Sequence, residues 1–275
     1  MHLTETPSKS SDASSSEGND PTPNPPVRRR FSLRTLSIAV LVLCVLLAGI
    51  VAITNAVRRA NQTRQCAETM KTLAMALLCY RDYYKTFPPA ITYSQDGTPM
   101  YSWRVLVHPW VEQFNFRERF DMSEPWNGPK NRLLCDETPD TFRDSVGMPF
   151  RAVFRPYFCR CPSASQTQSV WATNYVMLID DQPGKPNGPP NRPGSVPPSF
   201  NDKSAVIIIE VADSDIHWME PRDVLLSELS MKINDRSKRS LSSYHGGVCV
   251  VHADGSVETM EETITEERLR ELLTQ

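Results

Sequence analysis

The chain has 275 residues and a formal net charge of −2, enough for a tail, an anchor and one medium domain. Residues 72–275 hold 21 Lys and Arg against 27 Asp and Glu, a balance of −6, which argues against nucleic acid as a partner because phosphate binding needs a basic surface. Seven cysteines at 44, 66, 79, 135, 159, 161 and 249 show no CxxC spacing, so neither a zinc ribbon nor a thioredoxin motif is present.

Residues 1–27 are mostly Ser, Pro, Asn, Asp and Glu. They carry too little apolar surface to offset their ordering entropy and are expected to be disordered, as a cytoplasmic tail. A basic flank follows at Arg28, Arg29, Arg30 and Arg34, and then the uncharged run Leu36–Ile53. About 20 apolar residues cross a bilayer as one helix. Twelve of these eighteen are Leu, Ile or Val, and at roughly −0.5 kcal/mol each they favour insertion by about 6 kcal/mol. The run is too long for a signal-peptide core, so residues 28–57 predict an uncleaved signal-anchor. Arg58, Arg59, Arg64 and Lys71 balance the upstream arginines. The tighter upstream cluster leans towards the N-terminus inside and the domain outside the cytoplasm.

No Gly or Pro interrupts the chain between Gly49 and Pro88, so the helix is expected to continue over residues 58–87. Cys66, Met70, Leu73, Leu77, Tyr80 and Tyr84 form one apolar stripe at helical spacing, a packing face. A helix from Leu36 to Tyr84 would measure about 75 Å at 1.5 Å per residue. Phe87-Pro88-Pro89 ends it.

Residues 88–275 predict a globular head. Asp96-Gly97 marks a turn. Tyr101–Phe114 reads as a short helix disturbed near Pro109, and Lys130–Asp136 as another beyond the loop Glu124–Pro129. Arg151–Cys159 and Thr173–Ile179 alternate weakly as strands, and 181–200, rich in Pro and Gly, reads as an irregular loop. Ala205–Val211 is β-branched, a buried strand. Val248–His252 and Val257–Met260 flank Asp254-Gly255, a strong hairpin signal. Thr265–Leu273 predicts a helix with Glu266 and Glu267 in its first turn, as the helix dipole favours.

Chemistry is sparse. Cys159-x-Cys161 lacks the further soft ligands of a regular metal motif, and on one strand the two would point to opposite faces. His245 and His252 differ by seven, which on a single strand also separates them. The pairs Asp213/Asp215 and Glu261/Glu262 are ordinary surface features, and no nucleophile, metalloprotease or phosphate-loop motif is present. The residues therefore predict no catalytic, cofactor-binding or metal site.

In order, Cys66, Tyr80…Phe87-Pro88-Pro89, Ser102-Trp103-Arg104-Val105-Leu106, Pro109, Glu112-Gln113, Glu124-Pro125-Trp126, Asn131, Cys161-Pro162-Ser163, Thr173-Asn174-Tyr175, Glu210, Trp218, Pro221, Asp223, His245-Gly246-Gly247 and Ala253–Val257 resemble a bacterial family catalogued as domain of unknown function 1559, abundant in planctomycetes. The resemblance runs from about Arg28 to Leu273. It implies a pilin-like α+β fold, with a long N-terminal helix, its first half in the membrane, packed on a small antiparallel-sheet head. It implies a single-pass structural or interaction protein of the cell envelope whose partners are the membrane and other pilin-like or envelope proteins. The sequence departs from the family pattern at the leader, where Arg30 and Thr35 replace the usual Gly and Glu, so prepilin-peptidase processing at Phe31 is not expected. Glu68–Lys71 replaces an Asn-rich stretch, and the His245–Asp254 spacing is one residue short.

The resemblance also singles out Cys66 and Cys161. In an oxidising compartment they form a candidate disulfide, closing a loop of about 95 residues worth roughly 4 to 5 kcal/mol in the chain-entropy model. Two thiols that never meet, or pairing of Cys159 instead, remain open. Two rival functions stay in view. One is a ligand- or glycan-binding cleft near Trp103, Trp110 and Trp126. The other is an anchored hydrolase using a carboxylate with His217 or His245.

Overall fold

A computed structural model describes residues 32–111, 116–136, 159–164, 169, 171–181 and 204–274. The expected tail and leader, the expected strand before Cys159 and nearly all of the Pro-rich loop lie outside the described residues. Chain contacts divide the protein into one unit ending at Ile50 and a second beginning at Val51.

Helix α1 is Leu33–Tyr84. In the first unit its apolar side chains are exposed all round, Leu41 at 67% and Val45 at 64%. An 18-residue window of α1 is long and apolar enough to cross a membrane, with none of it buried in protein. In the second unit the same helix becomes one-sided. Cys66, Met70, Leu73, Ala74, Ala76 and Leu77 are buried, while Met75 and Tyr83 stay outside. The stripe read from the sequence is thus the packing face, except that Tyr84 at its end remains 43% exposed.

After α1 come β1 (Ile91–Tyr93) and β2 (Pro99–Ser102), an antiparallel pair turning at Gly97. Helix α2 (Trp103–Val111) starts two residues after the expected position and runs through Pro109. Helices α3 (Phe116–Arg119) and α4 (Pro129–Asp136) complete this side. Asn131 ties the intervening loop down, donating to the Asp121 and Pro125 carbonyls and accepting the Asp121 N–H at 2.8 Å.

The main sheet contains β3 (Tyr175–Ile179), β4 (Val206–Glu210), β5 (Val224–Leu225), β6 (Val248–His252) and β7 (Val257–Met260), in the order β5-β3-β4-β6-β7. The antiparallel expectation needs correcting at one edge, because β5 pairs with β3 in parallel. β6 and β7 match the predicted hairpin residue for residue. Gly255 turns it with φ +89°, and a Cβ there would meet Leu78 Cδ1 of α1 at 2.5 Å. The positive φ favours Gly, and for any other residue the Leu78 side chain would have to give way. Helix α5 (Glu266–Leu273) is capped by Thr265, whose hydroxyl accepts the Arg268 N–H.

Both faces of the sheet are covered, so its central strands are apolar along most of their length rather than alternating, with Glu210 closing β4 and His252 closing β6. Tyr175, Met177, Ile179, Cys249 and Val251 join the cluster that contains Cys66, Met70 and Leu73 of α1. Val176, Leu178, Val248 and Val250 join Leu269 and Leu273 of α5. The period-2 alternation of a strand thereby sorts neighbouring residues into two separate cores.

Candidate functional site

Between α1 and the sheet, Tyr175 stands opposite Glu210 in the β3–β4 register, and Glu210 reaches the next strand by accepting the Cys249 N–H at 3.0 Å. α1 lies over this row and contributes Thr63 and Cys66. The turn at 161–164 supplies Cys161, whose N–H is held by the Asn174 side chain at 3.0 Å. The loop entering β6 supplies His245. There Ser243 Oγ accepts the His245 and Gly246 N–H groups, a hydroxyl-locked turn.

The result is a closed cluster. One donor atom each from Cys66, Cys161, Glu210 and His245 lies within 4.8 Å of all the others. Cys66 and Glu210 are fully buried, Cys161 is 1% exposed and His245 3%. His245 Nε2 is 3.2 Å from Glu210 Oε1, and both side chains have no exposure. Cys66 and Cys161 are free thiols, not a disulfide.

The surrounding hydrogen bonds orient the cluster. The Thr63 hydroxyl lies 3.1 Å from both the Arg59 carbonyl and His245 Nδ1; when it donates to the carbonyl, it accepts from Nδ1. In that arrangement Nδ1 carries a proton, and Nε2 faces a carboxylate oxygen. Two lone pairs do not face each other at 3.2 Å without a cation between them, which here is either the second imidazole proton or a metal ion. The Tyr175 hydroxyl lies 3.2 Å from Cys66 Sγ, and burial holds the phenol well above its usual range. Glu210 spends Oε2 on the Cys249 N–H, leaving Oε1 for the centre.

Protonation within the cluster is shared. Hydrogen bonding to Cys161 and Cys249, together with burial, pushes the Cys66 thiol far up. The Cys66 hydrogen bond outweighs burial at Cys161 and pulls that thiol down to about 7. Burial alone would lower His245, but Cys161 and Glu210 overcome it and raise the imidazole to about 10.

The chain matches the family described as protein of unknown function (DUF1559) over residues 55–210. It belongs to that family. No curated protein and no solved structure matches. The matched span contains Cys66, Cys161 and Glu210, while His245 lies 35 residues beyond its end.

Sequence reading paired the two cysteines through the family resemblance and missed their grouping with Glu210 and His245. All four belong to the motifs that carry the resemblance, which was the available signal, but they are too far apart for any spacing rule. Cys159 is buried in a turn rather than on a strand and lies outside the four-donor group. His252 pairs with Glu258 at 3.0 Å on the hairpin. Asp213, Asp215, Glu261 and Glu262 are exposed.

His217 lies in a different setting, stacked on Trp126 with ring centroids 4.9 Å apart and also packed near Trp171 and Trp218. Its Nδ1 accepts the Met219 N–H at 3.2 Å, and its own backbone N–H donates to Glu220 Oε2. Burial, and then the charge of Arg104, lower its pKa from 6.5 to about 4. A depressed histidine contributes stability that is complete above the unfolded value and lost as pH falls towards the folded one. Denaturant midpoints should therefore fall between pH 6.5 and 4 more steeply in the wild type than in His217→Gln. Parallel pH profiles would refute a neutral His217.

Proposed function

We propose that this chain is a single-pass, membrane-anchored, pilin-like structural or interaction protein of the cell envelope, with its head outside the cytoplasm and no catalytic role. The observation that carries the reading is the change of character along α1. Its first part is apolar and uncovered on every side, as lipid contact requires, and its second part is one wall of the head's core. A helix that is both anchor and core element suits display of a head at a membrane. Its partners are then the bilayer and other pilin-like or envelope proteins.

Packing accounts for the tryptophans of the rival binding cleft. Trp103 is fully buried and donates its indole N–H to Asp223, Trp110 packs against Tyr80, Tyr83 and Tyr84, and Trp126 stacks on His217. A thiol beside an imidazole and a carboxylate is also the make-up of a cysteine nucleophile. Here the carboxylate and imidazole have no exposure at all, which leaves a substrate no approach.

Carbonate washing of membranes should leave the full chain in the pellet, and protease added outside inverted inner-membrane vesicles, whose cytoplasmic face points outward, should spare the head until detergent is added. Recovery in the wash would refute the anchor, and digestion of the head without detergent would reverse the orientation.

A further inference from the structure

We propose that Cys66, Cys161, Glu210 and His245 form a buried four-coordinate zinc site that clamps the second half of α1 to the sheet. The inference is independent of the anchoring role above. Its first support is donor geometry. Zinc bonds of about 2.0 Å to N and O and 2.3 Å to S place tetrahedral ligand atoms roughly 3.3 to 3.8 Å apart. The N–O edge, at 3.2 Å, is close to that scale, and all four atoms lie inside 4.8 Å of one another, so a shift of about an ångström closes the longer edges.

The second support is the outer shell. Metal-bound histidine normally gives its other N–H to a fixed acceptor, and metal-bound carboxylates are themselves hydrogen-bonded. Thr63 Oγ1 lies in hydrogen-bond reach of His245 Nδ1, the Cys249 N–H holds Glu210 Oε2, and the Tyr175 hydroxyl contacts Cys66 Sγ. Each of these contacts leaves the remaining donor atom turned to the common centre. A metal ion takes the place of the proton at Nε2 with no change to the Thr63 contact.

The third support is charge. A divalent cation would displace the thiol protons and the proton at His245 Nε2, and over two thiolates and a carboxylate it would leave one net negative charge in a site from which water is excluded. Two sulfurs, one imidazole nitrogen and one carboxylate oxygen in closed four-coordination select zinc over hard cations, which prefer six or more oxygen ligands. A Cys66–Cys161 disulfide, the rival arrangement, would use the sulfurs but give no reason for a carboxylate and an imidazole to be buried against them.

The ligands come from α1, the 161 turn, β4 and the loop before β6, so the ion would join four separated chain segments. Metal binding and head folding are then linked, and chelation loosens the head.

The test uses the full chain in detergent, purified with a thiol reductant, stripped with chelator and titrated with Zn²⁺ and, separately, Co²⁺. The expected result is one equivalent of Zn²⁺ per chain, and with Co²⁺ the visible bands of a tetrahedral site plus a near-ultraviolet thiolate-to-metal band. Glu210→Gln and His245→Gln should weaken Zn²⁺ binding by about a hundredfold or more. The Co²⁺ spectrum reports thiolate ligation in the wild type, so the proposal stays testable if a variant fails to fold. A folded, reduced chain that takes up no Zn²⁺, or Zn²⁺ uptake with no thiolate-to-cobalt band, would overturn it. So would uptake unchanged in both variants. A Cys66–Cys161 disulfide in protein taken from native membranes, with the reduced form showing no affinity for zinc, would overturn it in favour of the bridge.

Discussion

Asp223→Ala is expected to destabilise the head by about 3 to 5 kcal/mol, the usual result of stranding one partner of a buried ion pair. Arg104 and Asp223 are paired with no side-chain exposure. Asp223 Oδ1 also accepts the Met177 N–H at 2.8 Å and the Trp103 indole N–H at 3.3 Å. Arg104 Nε donates to the Tyr175 carbonyl and Nη1 to Ser102 Oγ, so its guanidinium cannot swing out to water. Removing the carboxylate leaves a fixed buried cation and two orphaned N–H donors.

The pair is not thereby a net source of stability. Burial raises Asp223 to about 6 against the lowering effect of Arg104, so desolvation exceeds attraction. It joins β3, α2 and the loop before β5, and its value is that of a connector which cannot be half removed. Denaturation of the full chain in detergent, followed through tryptophan fluorescence with Trp103 beside the lesion, measures the loss. Glu68→Ala, which breaks an exposed pair with Lys71 on α1, should cost no more than about 0.5 kcal/mol. Equal effects from the two substitutions would show that Asp223 is not anchoring a buried charge.

Leu73→Ala should cost about 2 to 5 kcal/mol, whereas Met75→Ala, two residues away, should stay within about 0.5 kcal/mol. Leu73 is fully buried on the face of α1 that meets the sheet, and Met75 is 61% exposed. The contrast tests whether the second half of α1 is part of the head's core. Two small effects would mean that the head folds without the helix, which would remove the structural basis for treating α1 as both anchor and core.

Much of the fold was legible because it rests on local signals. The stripe from Cys66 to Leu77 shows the helical period, and Asp254-Gly255 places a hairpin whose strands match the prediction. Thr265 with Glu266 and Glu267 marks the start of α5. The elements that were not foreseen lack such signals. β5 has two residues and exists through its parallel pairing with β3, and α3 is a single turn. Thr173–Ile179 looked weakly alternating because β3 is buried on both faces and needs no polar side.

By itself the sequence determined the uncharged helix, its continuation as a packing face, the hairpin, the acidic balance of the head and the family. Each is encoded within a window of residues or in the order of motifs. Only the tertiary structure decided that Glu210 and His245 join Cys66 and Cys161. These four positions lie on four segments spread over 180 residues, and what brings them together is the β3–β4–β6 register and the placement of α1 across it. Strand pairing and helix packing are long-range choices, made by burying whole faces at once, so no local spacing could have shown which polar residues those faces would enclose.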